Sequence, residues 1–379
     1  PIICVAKSTG QIRLCCDLRY INSGTINDAY PMPRNEELLS KIAASRYVTT
    51  LDCSSGFWQI PMREADCFKT AFTCHRGLFE WVYMPFGCRT ASNTYQRVMD
   101  QLLLPHSEYA RAYIDDTAIH SGGWGSHMLH LKAVLLSFRE SGMTLKLSKC
   151  KFGKSKVKFI GHEIGSGLRL PISSKVDSIK AIPEPHTKKL LRSFLGMCNF
   201  YRMYIPRYAE IALPLTELTK GKLSNKISFD EKQRFAFHKL KQELCNCTTL
   251  YTHSLERPFI VRTDASQFSV TACLAQLDEQ GLERPIAFAS AKLSPAETRY
   301  SVIEKESFAV IFALKKFDGI LYGSHIDLFT DHNPLKYVAS CAPSSARLTR
   351  WALSLSRYDI TIHHIQGRDN VSADFLSRC

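Results

Sequence analysis

The sequence predicts an α+β protein of more than one domain, and three observations predict it. Short β-rich runs alternate with helical patterns through the first part of the chain. A polar stretch at 220–230 then precedes a second alternation, in the order β-β-β-α-β-α-β-α, which indicates a mixed α/β domain. The length of 379 residues also exceeds one core, since roughly 150 residues per domain suggests two or three.

The elements follow from pattern and punctuation. Residues 2–17 read as strands around the turn Ser8-Thr9-Gly10. Tyr30-Pro31-Met32-Pro33 breaks the chain before a short helix at 35–44 and a strand at 46–52 that ends on Asp52. Residues 68–73 and 79–84 read as strands around Arg76-Gly77, and 91–104 as a helix. Two β-rich runs, 110–114 and 117–120, flank Asp115-Asp116 and suggest a hairpin turning there. Residues 128–141 are helical, with Leu129, Val134, Leu135 and Phe138 at helical spacing. A strand pair follows at 157–164, then a helical region with Pro breaks at 173–218. In the second alternation, strands are expected at 259–264, 270–276, 285–289, 325–330 and 359–364. Helices are expected at 300–317, 345–358 and 372–377.

Composition excludes several classes. Hydrophobic content of 45% and aromatic content of 11% mark a globular chain. Apolar runs are too short for a bilayer, and the opening PIICVAKSTG lacks the order of a signal peptide. The start at Pro1 without an initiator Met suggests a piece of something longer. Fourteen Cys are scattered with no CxxC pair, so they read as reduced thiols in a reducing compartment, with no zinc site. Lys and Arg number 49 against 35 Asp and Glu, a net charge of +14. Residues 141–226 hold 17 of the cations and 5 of the acids, a balance of +12. The ordinary fate of a charge run is a solvated surface, but so uneven a balance points to a polyanionic partner, nucleic acid first.

Asp52 ends a strand, and Asp115 and Asp116 sit at the predicted hairpin. Side by side, those strands would gather three carboxylates, which repel one another unless cations intervene. Two Mg²⁺ (or Mn²⁺) ions about 3.5–4 Å apart would resolve this and support in-line phosphoryl transfer. Alone, Asp-Asp is an ordinary turn dipeptide.

The context is more specific. Residues 1–225 carry RLCCDLRYIN, YPMPRNEELL, TTLDCSSGFWQIPM, KTAFTCHRGLFEWVYMPFG, YIDDTAIHS, LSKCKF, VKFIGHEI and LRSFLGMCNFYRMYI. In this order the segments resemble the reverse transcriptase of gypsy-type LTR retrotransposons. The resemblance implies a right-hand polymerase: fingers and palm at 1–165 (truncated at the N-terminus), a helical thumb at 166–225 holding the excess charge, and a connection at 226–257. It makes Asp52, Asp115 and Asp116 the metal-binding catalytic triad. It assigns Lys7 and Arg13 to the incoming triphosphate, Phe57 to the gate that excludes a ribose 2′-OH, and Lys149 to protonation of the leaving pyrophosphate. The segment Phe159, Ile160, Gly161 and His162 becomes the primer grip. For Arg13 and Lys149 a plain surface role stays open, and for Phe57 a core role. Cys88 and Ser92 depart from the family's usual Leu and Pro.

In the second region, TDAS, YSVIEKESFAV, TDHNPL and HHIQGRDNVSADFLSR resemble the RNase H domain attached to these enzymes, over 258–379. Asp264, Glu306, Asp331 and Asp374 become a second two-metal set. Glu306 is favoured over Glu304. His364, ten residues before Asp374, becomes the histidine that assists product release or proton transfer, with His363 as the alternative. His332 reads as structural.

The implied function is RNA- and DNA-directed DNA synthesis from a primer 3′-OH and dNTPs, with hydrolysis of the RNA strand of RNA–DNA hybrids. The competing reading is an inactive or domesticated retrotransposon-derived nucleic-acid-binding protein. The thumb-like segment and the second domain argue against a telomerase or non-LTR enzyme. The resemblance further implies RNA and DNA template–primers as partners and no membrane. It leaves open a dimer or retention in a larger polyprotein. Its location would be cytoplasmic, in a virus-like particle, with nuclear access, and not secreted.

Overall fold

The computed structural model describes residues 2–6, 10, 12–221, 225–330 and 346–364. They form two compact units, Pro1–Gly167 and Leu168–Cys379. No helix among the described residues is long and apolar enough to cross a membrane.

The first unit opens with the hairpin β1 (Ile2–Ala6) and β2 (Ile12–Cys16), registered Ile2↔Cys16. Helix α1 (Arg19–Gly24) precedes α2 (Asn35–Ala43), which carries Glu36 and Glu37 in its first turn and Lys41 in its last, matching the helix dipole. Then come β3 (Tyr47–Asp52), the single turn α3 (Glu64–Cys67), and the small hairpin β4 (Phe72–Cys74) and β5 (Gly77–Phe79). Helix α4 (Ala91–Leu103) leads to β6 (Ala110–Tyr113) and β7 (Asp116–Ser121). Helix α5 (Trp124–Glu140), β8 (Lys151–Lys154), and the hairpin β9 (Val157–Phe159) and β10 (His162–Gly165) complete it.

The central antiparallel sheet has the order β6-β7-β3-β8. Successive strand side chains point to opposite faces, and both faces are covered. Leu51 and Ile119 pack with Tyr95, Met99, Val134 and Phe138 of α4 and α5. Val48 and Ala118 pack with Leu38, Leu39 and Ile42 of α2 and with Phe159 and Ile164. A sheet held from both sides gives its strand ends a fixed position, and β3 and β7 each place an aspartate at such an end.

The second unit begins with β11 (Leu168–Pro171) and the helices α6 (Ser173–Lys180), α7 (Lys188–Phe200), α8 (Tyr208–Leu218) and α9 (Glu231–Cys245). After β12 (Leu250–Tyr251) comes a five-stranded sheet of β13 (Phe259–Ala265), β14 (Ser269–Leu277), β15 (Glu283–Lys292), β16 (His325–Thr330) and β17 (Asp359–His364). Helix α10 (Val302–Leu321) lies between β15 and β16 in sequence, and α11 (Ala346–Leu355) between β16 and β17. The order is β15-β14-β13-β16-β17, antiparallel on one side of β13 and parallel on the other. Residues 269–276 of β14 are buried throughout. Its Ala272 and Leu274 meet Val310, Ala313 and Leu314 of α10, while Cys273 joins Phe194, Phe237 and Leu240 of the preceding helices. Burial on both faces explains why that stretch reads as one apolar run.

Three expectations need adjustment. The strands expected at 68–73 and 79–84 shrink to β4 and β5, because residues 68–70 form a 3₁₀ turn. There the Thr70 hydroxyl donates to the Cys67 carbonyl and accepts from the Trp81 N–H, a local bond that competes with the ladder. The hairpin expected to turn at Asp115-Asp116 turns one residue earlier, at Ile114-Asp115, so that Asp116 is already a strand residue paired with Tyr113. Helix α9 was not anticipated; Asp230 and Gln233 close a capping box at its start. The helix expected at 372–377 lies outside the described residues.

Candidate active site

The register β3–β7 sets Asp52 directly opposite Asp116, and the β6–β7 turn holds Asp115 next to it. The register therefore brings three aspartates to one edge of the sheet. Desolvation and the neighbouring Asp52 charge hold the Asp116 carboxyl above its usual range, opposed by a hydrogen bond from the Ile160 backbone N–H and by Lys149. The Lys149 ammonium pairs with Asp52 Oδ2 at 3.2 Å. Lys149 is exposed and Asp52 partly so, and such a pair contributes little to stability. Lys149 thus stands at the triad, one turn of chain from β8.

Below the carboxylates lies a neutral floor. Burial pushes the Cys53 thiol up to about 11 and raises the Tyr95 hydroxyl strongly, so neither competes as a base at neutral pH. Ser55 takes a left-handed backbone, φ 53°, to bring the chain round. A Cβ on Gly56 would stand 2.7 Å from the Tyr95 hydroxyl and 3.0 Å from Asp115 Oδ1. Only glycine allows that approach. Phe57 is half-buried in the turn that follows, its ring 5.4 Å from Tyr95 and 5.3 Å from Phe86. The segment 159–162 is the β9–β10 hairpin, with Phe159 paired to His162 and positive φ at Ile160 and Gly161. Its side chains Phe159, Ile160 and His162 are buried, and what it offers the site is backbone, the Ile160 N–H. Arg13 lies on β2 opposite Val5. Lys7 lies outside the described residues.

In the second unit, Asp264 sits exposed near the end of β13. Glu306 on α10 is only 3% exposed, and its Oε1 accepts from the Ala265 N–H at 3.2 Å. Glu304 is engaged elsewhere. It closes the capping box of α10 with Ser301 and pairs with Arg347. On β17, His363 Nε2 lies 2.7 Å from Asp327 Oδ1 and its ring stacks on Phe329. His364 is exposed and registers against Thr330, the residue before Asp331. Asp331, His332 and Asp374 lie outside the described residues.

Comparison with known proteins decides what this pair of sites belongs to. Residues 5–164 match the family described as reverse transcriptase (RNA-dependent DNA polymerase). Residues 254–358 match the RNase H-like domain found in reverse transcriptase. Over 379 residues the chain is 36% identical to the Retrovirus-related Pol polyprotein from transposon opus of Drosophila melanogaster, covering 97% of this chain and 38% of the polyprotein. The chain carries a reverse transcriptase domain and an RNase H-like domain, and its relatives are retrotransposon Pol polyproteins. It is also 34% identical to the corresponding polyprotein from transposon gypsy of the same organism, covering 97% of this chain and 36% of that one. The chain therefore spans well under half the length of the curated relatives it matches. Among solved structures it resembles the foamy viral protease-reverse transcriptase dRH in complex with ds DNA, with TM-score 0.84 and 25% identity over 96% of this chain and 65% of that one. The foamy viral enzyme in complex with RNA/DNA hybrid gives TM-score 0.78 and 25% identity, over 97% and 50%. The fold is accordingly the right-hand polymerase, with fingers, palm and helical thumb, followed by a connection and an RNase H-like domain.

Sequence reasoning did not find Tyr95, Gln96, Cys53 or Gly56. The first two lie in TYQ, within an amphipathic helix whose pattern says only that they face inward. A polar Gln on the buried face of α4, 0% exposed, was the available signal, since buried amides require partners.

The carboxylates fit a hard divalent cation. Oxygen donors suit Mg²⁺ or Mn²⁺, and Asp116 carries a charge its surroundings disfavour. Among the described residues no three His, Cys, Asp or Glu side chains converge as a ligand set.

Proposed function

We propose that this chain is an RNA- and DNA-directed DNA polymerase that extends a primer 3′-OH with dNTPs, joined to a ribonuclease H acting on the RNA of RNA–DNA hybrids. One observation carries the proposal: in a chain with a reverse transcriptase domain, the register pairs Asp52 with Asp116 and the adjoining turn adds Asp115. Asp52, Asp115 and Asp116 would hold two divalent ions. Bound there, such ions lower the pKa of the attacking hydroxyl and neutralise charge on the leaving oxygen. The residues around them position the reactants. Phe57, braced on Tyr95 and Phe86, would meet the sugar of a dNTP. Lys149, paired with Asp52, would supply a positive charge and a proton to the leaving pyrophosphate. Arg13 and Lys7 would meet the triphosphate, and the 159–162 hairpin would hold the primer end. Asp264, Glu306, Asp331 and Asp374 would form the nuclease set, with His364 beside them. The domains are 1–165 fingers and palm, 166–225 thumb, 226–257 connection and 258–379 RNase H. The enzyme would work in a cytoplasmic virus-like particle, with nuclear access. The test is extension of oligo(dT) on poly(rA) with Mg²⁺: incorporation is expected, abolished by EDTA, and its absence at every Mg²⁺ or Mn²⁺ concentration overturns the reading.

Metal binding also has a stability signature. The raised Asp116 pKa means that ionisation costs the metal-free fold stability as pH rises through that value, and protonation relieves the cost at low pH. A cation replaces the proton at neutral pH. At ten times its dissociation constant Mg²⁺ should add about 1.4 kcal/mol, or about 3 °C in Tm. The gain is expected at pH 8 and should shrink towards pH 5; scanning fluorimetry with and without Mg²⁺ reads it, and an equal gain at both values contradicts it.

The basic region predicts salt dependence. Lys151, Lys154, Lys156 and Lys158 are all exposed on and around β8 and β9. Arg169 and Lys188, at 1% and 3% exposure, are buried and unavailable to phosphates. If about six cations meet the backbone, affinity for template–primer should fall about 10³-fold between 50 and 200 mM salt. Fluorescence anisotropy with duplexes of unrelated sequence measures this, and a flat response excludes a phosphate-dominated interface.

A further inference from the structure

We propose that Gln96 is a positioning residue for the catalytic turn, and that it sets the carboxylates of Asp115 and Asp116 from beneath; this rests on the polymerase reading above. Gln96 is fully buried in α4. Its Oε1 accepts from the Ile114 N–H at 2.7 Å. Its Nε2 donates to the Ala112 carbonyl at 3.0 Å and to Asp100 Oδ1 at 2.9 Å. One side chain thus grips the last part of β6 and the first residue of the turn, on either side of Tyr113.

The turn needs such a grip. Ile114 has φ 52°, a conformation that crowds a β-branched side chain and persists only where its surroundings impose it. The residue that follows is Asp115 and the next is Asp116, so any relaxation of Ile114 swings both carboxylates. Gln96 is itself anchored. The other oxygen of Asp100 accepts from the Tyr30 hydroxyl at 2.6 Å. The Tyr30 ring lies 4.9 Å from the Arg97 guanidinium, which pairs with Asp28 at 2.7 Å. Asn93 Nδ2 donates to the Asp28 carbonyl at 3.2 Å and lies 3.4 Å from that of Tyr30. Residues 28–30, α4 and the catalytic turn are therefore linked by one chain of hydrogen bonds. Tyr95, the preceding residue of α4, meets the site through Gly56. Neighbouring residues of one helix thus reach the site, Tyr95 at Gly56 and Gln96 at Ile114.

Amide hydrogen exchange of the intact chain, read by mass spectrometry over 110–116, tests this beside steady-state kinetics and a Mg²⁺ titration. In Gln96→Leu the Ile114 amide loses its acceptor, so exchange at 110–116 is expected to rise about tenfold while β3 keeps its protection. Incorporation should fall about 10- to 100-fold in kcat, because metal ligands displaced by a fraction of an ångström bind and align poorly. The Mg²⁺ midpoint should rise several-fold, with KM for template–primer within about threefold and hybrid cleavage unchanged. Tyr30→Phe removes only the outer anchor and should move the same readouts in the same direction by less; it also decides the matter if Gln96→Leu does not fold. Unchanged exchange at 110–116, or an activity loss that follows the folded fraction with the Mg²⁺ midpoint fixed, overturns the role. A wild-type chain without polymerase activity whose variant still shows the exchange change overturns the polymerase reading alone.

Discussion

Replacing Asp115 and Asp116 together by asparagine is expected to reduce nucleotide incorporation by at least about 10³-fold, a loss of about 4 kcal/mol in transition-state stabilisation. Template–primer affinity should stay within about twofold, because cations elsewhere carry it. Asparagine keeps the size of the side chain and changes no backbone bond, so the β6–β7 register, with Tyr113 opposite Asp116, survives. What disappears is two of the three negative charges that would hold a divalent ion. The raised pKa of Asp116 shows that its charge is held at a cost in the metal-free fold. The double variant should therefore melt at the same temperature as wild type or above it, and lose the Mg²⁺-dependent gain in Tm. This separates the expected result from simple unfolding. Primer extension on poly(rA)/oligo(dT), with circular dichroism on the same samples, makes the measurement. Retention of a tenth or more of the wild-type rate would show that the carboxylates do not hold the reacting groups.

The aspartates were legible because their chemistry and strand pattern agree. Alternation in 46–52 puts Val48 and Leu51 on opposite faces, and the structure covers both. The hairpin turn was misplaced by one residue for a definite reason. Turn propensity favours Asp-Asp and disfavours an isoleucine at positive φ, whereas Gln96 bonds the Ile114 N–H and holds it there. A contact 18 residues away in sequence overrode the local preference. The same holds for the charge count. The excess in 141–226 was visible, but that Arg169 donates to the Ile286 carbonyl, and Lys188 to that of Lys220, follows only from tertiary packing. Helix α9 was missed although its capping box is written in the sequence as Asp230 and Gln233. Its apolar residues Ala236, Phe237, Leu240 and Leu244 recur at helical spacing amid a polar stretch that suggested a connector.

Glu306→Gln is expected to lower cleavage of the RNA strand in a hybrid by about 10²- to 10³-fold, or about 3–4 kcal/mol, while polymerisation stays within about twofold. Glu304 and Glu306 are near neighbours on α10, and the structure gives them different work. Glu306 faces the sheet, 3% exposed, and its Oε1 takes the Ala265 N–H one residue beyond Asp264. A glutamine retains that carbonyl oxygen and so retains the bond. It removes a buried charge, which is costly unless a cation meets it. Folding should therefore be unaffected or improved, and the loss should fall on metal-dependent hydrolysis alone. Glu304 serves the helix. Its carboxylate accepts from the Ser301 N–H at 2.9 Å and pairs with Arg347, whose guanidinium lies 4.2 Å from the Tyr300 ring. Glu304→Ala should cost about 1 kcal/mol of stability through the lost cap, with cleavage per folded molecule retained. Hybrid cleavage and thermal melts on the two variants thus form a crossed pair: one loses activity without stability, the other stability without activity. The opposite pattern would move the nuclease carboxylate to Glu304. Loss of both properties in both variants would mean that neither glutamate is separable from the fold of α10.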